Sequence, residues 1–248
     1  MFAYTKILNI TSYLLLLIIF ACSFSQKENN MQSKIRYVAL GDSYTICEGA
    51  KWEESWPVIL TDKLNKAGVP TELIANPSRT GWTTQDLIDN ELPIFDSSAA
   101  TFATLLIGVN DWVQGVSAEQ FHQNLNFILD HVVKKLAVGN SQSAKENIGK
   151  LPTEDCRLVL ITIPDFSCTP EGPKYSNGRN ISEGLSEFNK IIMSEAEKRN
   201  LKCVDIFPIS QKMKDQPDLV SADNLHPSAK EYAIWENLIY PVVYGVLK

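Results

Sequence analysis

The chain has 248 residues, of which 44% are hydrophobic and 21% charged. That is ample apolar material for one globular core and lies within the range of a single α/β domain. The net charge of −6 comes without a basic block, which argues against nucleic acid as a partner.

The N-terminal segment reads as an export signal. Lys6 supplies a positive charge, and residues 13–21 form an uninterrupted, mostly aliphatic run. The run is short for a membrane span, which needs about 20 apolar residues. Ile19-Phe20-Ala21-Cys22 resembles a bacterial lipobox. On that reading residues 1–21 are removed, and Cys22 is lipidated and becomes the mature N-terminus. An ordinary cleaved signal and an uncleaved anchor are the alternatives. Residues 22–33 are polar and aperiodic, as expected of a flexible tether. The expected location is the bacterial cell envelope, with the membrane engaged only through a lipid anchor.

Residues 34–248 read as one domain in which strands and helices alternate. Residues 34–40 form an apolar first strand ending at Gly41-Asp42-Ser43-Tyr44. Residues 55–67 carry Trp56, Ile59, Leu60, Leu64 and Ala67 at helical spacing, and Gly68-Val69-Pro70 stops that helix. The strand 71–75 delivers Asn76-Pro77-Ser78-Arg79-Thr80-Gly81-Trp82, and a helix is expected over 83–92. The strand 101–107 delivers Gly108-Val109-Asn110-Asp111. Ser117 opens a helix with Phe121, Leu125, Ile128, Leu129 and Val132 on one face.

Residues 139–152 are polar and turn-rich, and read as an insertion on the face opposite the site. The fourth strand spans 157–163, and a long Pro-, Gly- and Ser-rich loop spans 166–180. A helix over 181–199, a fifth strand over 201–207 and a helix over 228–246 complete the chain. Such alternation predicts a parallel five-stranded sheet covered on both faces. Loops at the C-terminal strand ends then line the ligand crevice, which is where Ser43, Gly81 and Asn110 fall.

Asp223-Asn224-Leu225-His226-Pro227 puts a carboxylate three residues before an imidazole, just ahead of the last helix. Serine is a poor nucleophile at neutral pH unless a base takes its proton, and a carboxylate that fixes the base's tautomer improves it. Ser43, Asp223 and His226 have those chemistries, in that chain order. The backbone N–H groups of Ser43 and Gly81 and the Asn110 amide are the donors that an oxyanion hole requires. The order Ser, Asp, His also occurs in α/β-hydrolases. GxSxG is absent around Ser43, however, and Asp and His lie only three residues apart, so that fold is disfavoured.

The four segments in order resemble the SGNH (GDSL-like) hydrolase family over nearly all of residues 34–248, with Ser43, Gly81, Asn110 and His226 as the four lettered positions. The resemblance implies a three-layer α/β/α sandwich with a flavodoxin-like parallel sheet. It also implies hydrolysis of acyl esters, less often of thioesters or amides, without a metal or another cofactor. It casts Ser43 as nucleophile, His226 as base and then acid, and Asp223 as its orienter. Cys47 stands where the resemblance leads one to expect Gly.

Each of these residues also has a plainer role open to it: Ser43 as a helix cap, Asp223 as a turn former, Gly81 as a residue allowing positive φ, and Asn110 as a local backbone partner. Asp42 and Asp111 are expected to brace their loops. His122 and His131 lie on an amphipathic helix with no adjoining motif and carry no catalytic expectation. Trp82 and Trp112 flank the oxyanion residues, and either line a substrate pocket or pack. Tyr44 and Phe166 are weaker pocket candidates.

Export makes disulfides chemically accessible. Cys47–Cys168 is the favoured pair, Cys156–Cys203 a second, and four free thiols the remaining reading. The expected activity is hydrolysis of a small acyl ester, such as an acetylated saccharide or a lysophospholipid. An O-acyltransferase on the same site and a non-catalytic glycan-binding envelope protein are the alternatives.

Overall fold

The computed structural model describes residues 34–140 and 156–248. The expected signal segment, Cys22, the tether and most of the expected 139–152 insertion lie outside the described residues. The sheet has five parallel strands, β1 (Ile35–Gly41), β2 (Thr71–Ala75), β3 (Phe102–Leu106), β4 (Leu158–Ile161) and β5 (Lys202–Val204). Their spatial order is β2-β1-β3-β4-β5. This is the doubly wound, flavodoxin-like order, whose switch point lies between β1 and β3. The central strands are buried on both faces, which is why they read as continuous apolar runs.

The main helices pair across the two faces. A single turn, α1 (Ser43–Ile46), follows β1, and α2 (Trp56–Lys66) packs with the final helix, α6 (Ala229–Leu247), on one face. A segmented helix (Thr84–Asp86, Leu87–Glu91, Leu92–Ser97), α4 (Ala118–Asn140) and α5 (Ile181–Lys198) cover the other, with a short α3 (Val109–Gln114) after β3. The spacing that predicts α4 is the spacing that packs it. Phe121, Leu125, Ile128, Leu129 and Val132 are all buried, each contributing roughly 1.5–3 kcal/mol. Phe121 also stacks on Phe188 of α5, ring centroids 4.2 Å apart.

The structure departs from the sequence reading at three elements. The helix expected over 83–92 runs on to Ser97 through a π-helical turn at Leu87–Glu91. Pro93 has no N–H to donate back to Asp89, and the backbone widens there instead of ending. Residues 109–114, for which no helix is expected from the sequence, form α3. The fifth strand keeps only three residues. Beyond it, the Asp205 carboxylate accepts from Thr162 Oγ1 at 2.9 Å and from Phe207 N–H at 3.1 Å. Side-chain bonds thus replace the ladder, and Pro208 enters a short helix.

All four described cysteines are free, so neither expected bridge forms. Cys47 lies buried at the left-handed end of α1 (φ 60°), where its Sγ accepts the Trp56 N–H at 3.4 Å. Cys168 sits in a separate turn, beside Ser167. The two thiols are held by different neighbours. The positive φ at Cys47 also explains why glycine is expected at that position.

Candidate active site

The site is built where β1 and β3 diverge. β1 ends at Gly41, and Asp42 caps α1 by accepting the Tyr44 N–H at 3.0 Å. This places Ser43 as the first residue of the turn, in a buried position. The Gly41 N–H donates to Glu91 Oε2 at 3.0 Å, so the widened helical turn delivers a second carboxyl beneath the turn that carries Ser43. Asp42 Oδ2 and Glu91 Oε1 are both buried and meet no donor among the described residues. Burial raises the Asp42 pKa to about 8 against the pull of the Tyr44 N–H, and the Asp111 carboxyl pushes it further. Burial raises Glu91 likewise, opposed by the Gly41 N–H and reinforced by Asp42. Burial therefore favours the neutral form of both carboxyls, which act as braces. Glu91 left no signal in the sequence, because its role depends on the irregular turn.

His226 and Asp223 come from a tight turn between β5 and α6. Val220 and Pro227 bridge antiparallel, the Ser221 N–H donates to His226 O at 2.8 Å, and Asn224 takes a left-handed conformation (φ 61°) that asparagine tolerates. The turn folds the Asp223 carboxylate back on His226. Oδ2 meets His226 Nδ1 at 2.7 Å, while Oδ1 accepts from Ser221 Oγ (2.7 Å), Leu225 N–H (2.8 Å) and His226 N–H (2.9 Å). Partial burial would raise the Asp223 pKa, but the Ser221 hydroxyl, the Leu225 N–H and His226 outweigh it and hold the carboxyl well below its usual range. An ionised Asp223 places the proton on Nδ1 and leaves Nε2 as the free base. Ser221 was not singled out in the sequence, and only the turn reveals it.

The Asp223–His226 pair docks beside the turn that carries Ser43. The Tyr44 ring lies edge-on to His226 at 5.8 Å and 5.9 Å from Trp235 of α6. Tyr232 Oη donates to Glu48 O at 2.9 Å. Gly49 (φ 93°) lies so close to the dyad's turn that a Cβ there would sit 2.6 Å from Ser221 Cβ. Among the described residues, Ser43 Oγ has no hydrogen-bond partner, and catalytic hydrogen bonds commonly tighten only when substrate is bound.

The oxyanion candidates lie on two loops that are tied together. Asn110 Nδ2 donates to Trp82 O at 2.9 Å, which joins the β3 loop to the Gly81–Trp82 loop, and among the described residues the amide's second hydrogen has no partner. Gly81 is exposed with φ 85°. Asn76 Nδ2 donates to Thr45 O at 3.0 Å and anchors the same loop to α1. Buried Asp111 braces the two loops, accepting the Thr84 N–H at 2.8 Å and the Thr84 hydroxyl.

Of the four pocket candidates, the structure leaves one at the surface. Tyr44, Phe166 and Trp112 are 3%, 3% and 5% exposed. They brace the site and do not line it. Trp112 packs against Gly184 of α5, with Phe166 edge-on and the Arg179 guanidinium 4.0 Å from its ring. Trp82 is half-buried and borders an open groove. His122 pairs with Glu195 and His131 with Asp96, both away from this site.

A profile of the GDSL-like lipase/acylhydrolase family matches residues 39–234. The chain belongs to this family. Ester hydrolysis is the reaction class that this membership supports. No curated protein sequence matches the chain significantly. Among solved structures, it is similar to a psychrotrophic esterase from Pseudoalteromonas (22% identity, 86% of this chain and 98% of that one, TM-score 0.58). It is also similar to a lipase/acylhydrolase from Enterococcus faecalis (19%, 86% and 97%, 0.62). A third is an acetylxylan esterase from Geobacillus stearothermophilus (15%, 84% and 94%, 0.61). At these identities the likenesses establish the shared fold.

Proposed function

We propose that the protein is a serine-dependent carboxylic ester hydrolase that works through an acyl-enzyme. The observation that carries this reading is the Asp223–His226 hydrogen bond, Oδ2 to Nδ1 at 2.7 Å, with the imidazole packed against Tyr44, the residue that follows Ser43. His226 Nε2 takes the Ser43 proton as Oγ attacks the acyl carbonyl. The carbonyl electrons move onto oxygen, where the N–H groups of Ser43 and Gly81 and the unused Asn110 hydrogen receive them. Collapse of that intermediate expels the alcohol, protonated by His226. Water, activated by the same imidazole, then releases the acid and restores Ser43.

The natural substrate in this proposal is a small acyl ester. Acetylated saccharides are the first class to test, because one structural neighbour is an acetylxylan esterase; lysophospholipids are the second. Hydrolysis of p-nitrophenyl esters of increasing chain length, with Ser43→Ala as control, tests the chemistry. Activity that survives Ser43→Ala in folded protein refutes it. Export with lipidation at Cys22 belongs to the same proposal, and metabolic labelling with a fatty acid should disappear in Cys22→Ser.

A further inference from the structure

Beside the oxyanion loop lies an open groove of about 560 Å³, lined by Asn76, Pro77, Arg79, Trp82, Asn90 and Ile94. It shares its wall with the proposed machinery. Arg79 and Trp82 bracket Thr80-Gly81, and Asn76 and Trp82 are the residues through which the loop is tied to α1 and Asn110. Whatever occupies the groove therefore lies against the loop that carries Gly81.

The groove's chemistry is unusual for this acidic chain. The Arg79 guanidinium lies 5.8 Å from the Trp82 ring. Among the described residues no carboxylate pairs with it, although acidic side chains are near in sequence. Those acids are engaged elsewhere: Asp86 accepts from Thr83 N–H and Oγ1, Asp89 from Gln85, and Glu48 from the Thr80 hydroxyl. Glu91 is turned inward onto Gly41. An exposed arginine beside an indole, with no carboxylate partner among the described residues, keeps its planar fork of donors free, and that fork matches a carboxylate or a phosphate. Pro77, the Trp82 face and Ile94, which is 44% exposed, supply apolar surface around it.

We propose that this groove is a substrate subsite for an ester that carries an anionic substituent, carboxylate or phosphate, with Arg79 as its anchor and Trp82 as its platform. The proposal rests on the esterase reading above and narrows its substrate class. The anion belongs either to the acid portion or to the alcohol portion of the ester, and the test separates these sources.

The test compares 4-nitrophenyl acetate with three charged esters. These are 4-nitrophenyl hydrogen succinate (carboxylate on the acid side), 4-acetoxybenzoate (carboxylate on the alcohol side) and 4-acetoxyphenyl phosphate. For each, kcat/KM is measured with the wild type, Arg79→Met and Arg79→Lys. Arg79→Met should lower the charged-to-neutral preference about tenfold for at least one charged ester, through KM, with an effect that shrinks as salt rises. Arg79→Lys should restore part of it. The ester affected identifies the source of the anion. A role limited to holding the loop would move all four esters by the same factor, and that result overturns the proposal.

If no ester is turned over in a Ser43-dependent way, the esterase reading fails, and calorimetric binding then decides the subsite alone. The same four compounds are titrated into Ser43→Ala protein with and without Arg79→Met. Roughly tenfold weaker binding of a charged compound supports the subsite, and equal affinities refute it.

Discussion

Replacing Asp223 by Asn separates catalysis from architecture at a single atom. Asp223 Oδ1 accepts three donors that hold the turn, and Oδ2 accepts only His226 Nδ1. An asparagine keeps one carbonyl oxygen, and the three donors dictate that it occupies the Oδ1 position. Its NH2 group then faces Nδ1 and forces the imidazole into the tautomer with the proton on Nε2, which cannot accept the Ser43 proton. The expected loss in kcat is about 10⁴-fold, as for other orienting aspartates, or about 5.5 kcal/mol.

The stability cost should be much smaller. The bond to Nδ1 is exchanged and the three Oδ1 bonds become neutral, each changing by less than the roughly 1.5–3 kcal/mol of a hydrogen bond to a charged group, and solvent screening reduces the total because the Asp223 side chain is 41% exposed. The assays are p-nitrophenyl ester kinetics, the rate of Ser43 labelling by a fluorophosphonate, and urea unfolding. If Asp223 only formed the turn, Asn would serve equally well, because the three Oδ1 bonds survive. A loss of less than tenfold therefore refutes the triad assignment. A loss that tracks the unfolded fraction does the same.

Two further outcomes follow from the same geometry. Asn110→Ala should lower kcat by about 10²–10³-fold, the usual effect of removing one oxyanion donor, with KM and the far-UV spectrum little changed, because only the bond to Trp82 O is lost from the fold. Glu231 is buried, and its pKa is raised to about 7 by burial, against the pull of the Trp235 indole N–H. A carboxyl with a raised folded pKa binds more protons folded than unfolded. Its stability contribution is present below the unfolded value near 4.5 and declines as pH rises toward 7. Glu231→Gln should therefore flatten that decline, gaining on the wild type in melting temperature between pH 5 and 8; parallel curves for the two proteins would refute it.

The sequence by itself determined the layered α/β architecture and most of the proposed site. Each strand is a short apolar run closed by a turn, and each long helix repeats its apolar residues at 3.6-residue spacing. Those are local signals, and burial on both faces of a parallel sheet reinforces them. Ser43, Gly81 and Asn110 were legible because strand ends deliver loops to one edge. Asp223 and His226 were legible because three residues separate them in one turn.

Tertiary structure decided what depends on distant partners. Whether an aromatic ring lines a pocket or fills the core is set by what packs over it, and Gly184, far along the chain, leaves room for Trp112. Two cysteines near one edge need not face each other, and Cys47 turns its sulfur to the Trp56 N–H. Glu91 reaches the nucleophile turn only because Pro93 removes a donor and the helix widens. Among the described residues Arg79 has no carboxylate partner, because the acids near it in sequence bond elsewhere and Glu48 takes the Thr80 hydroxyl. Side-chain direction and pairing are properties of the packed chain, and a pattern of residue types does not specify them.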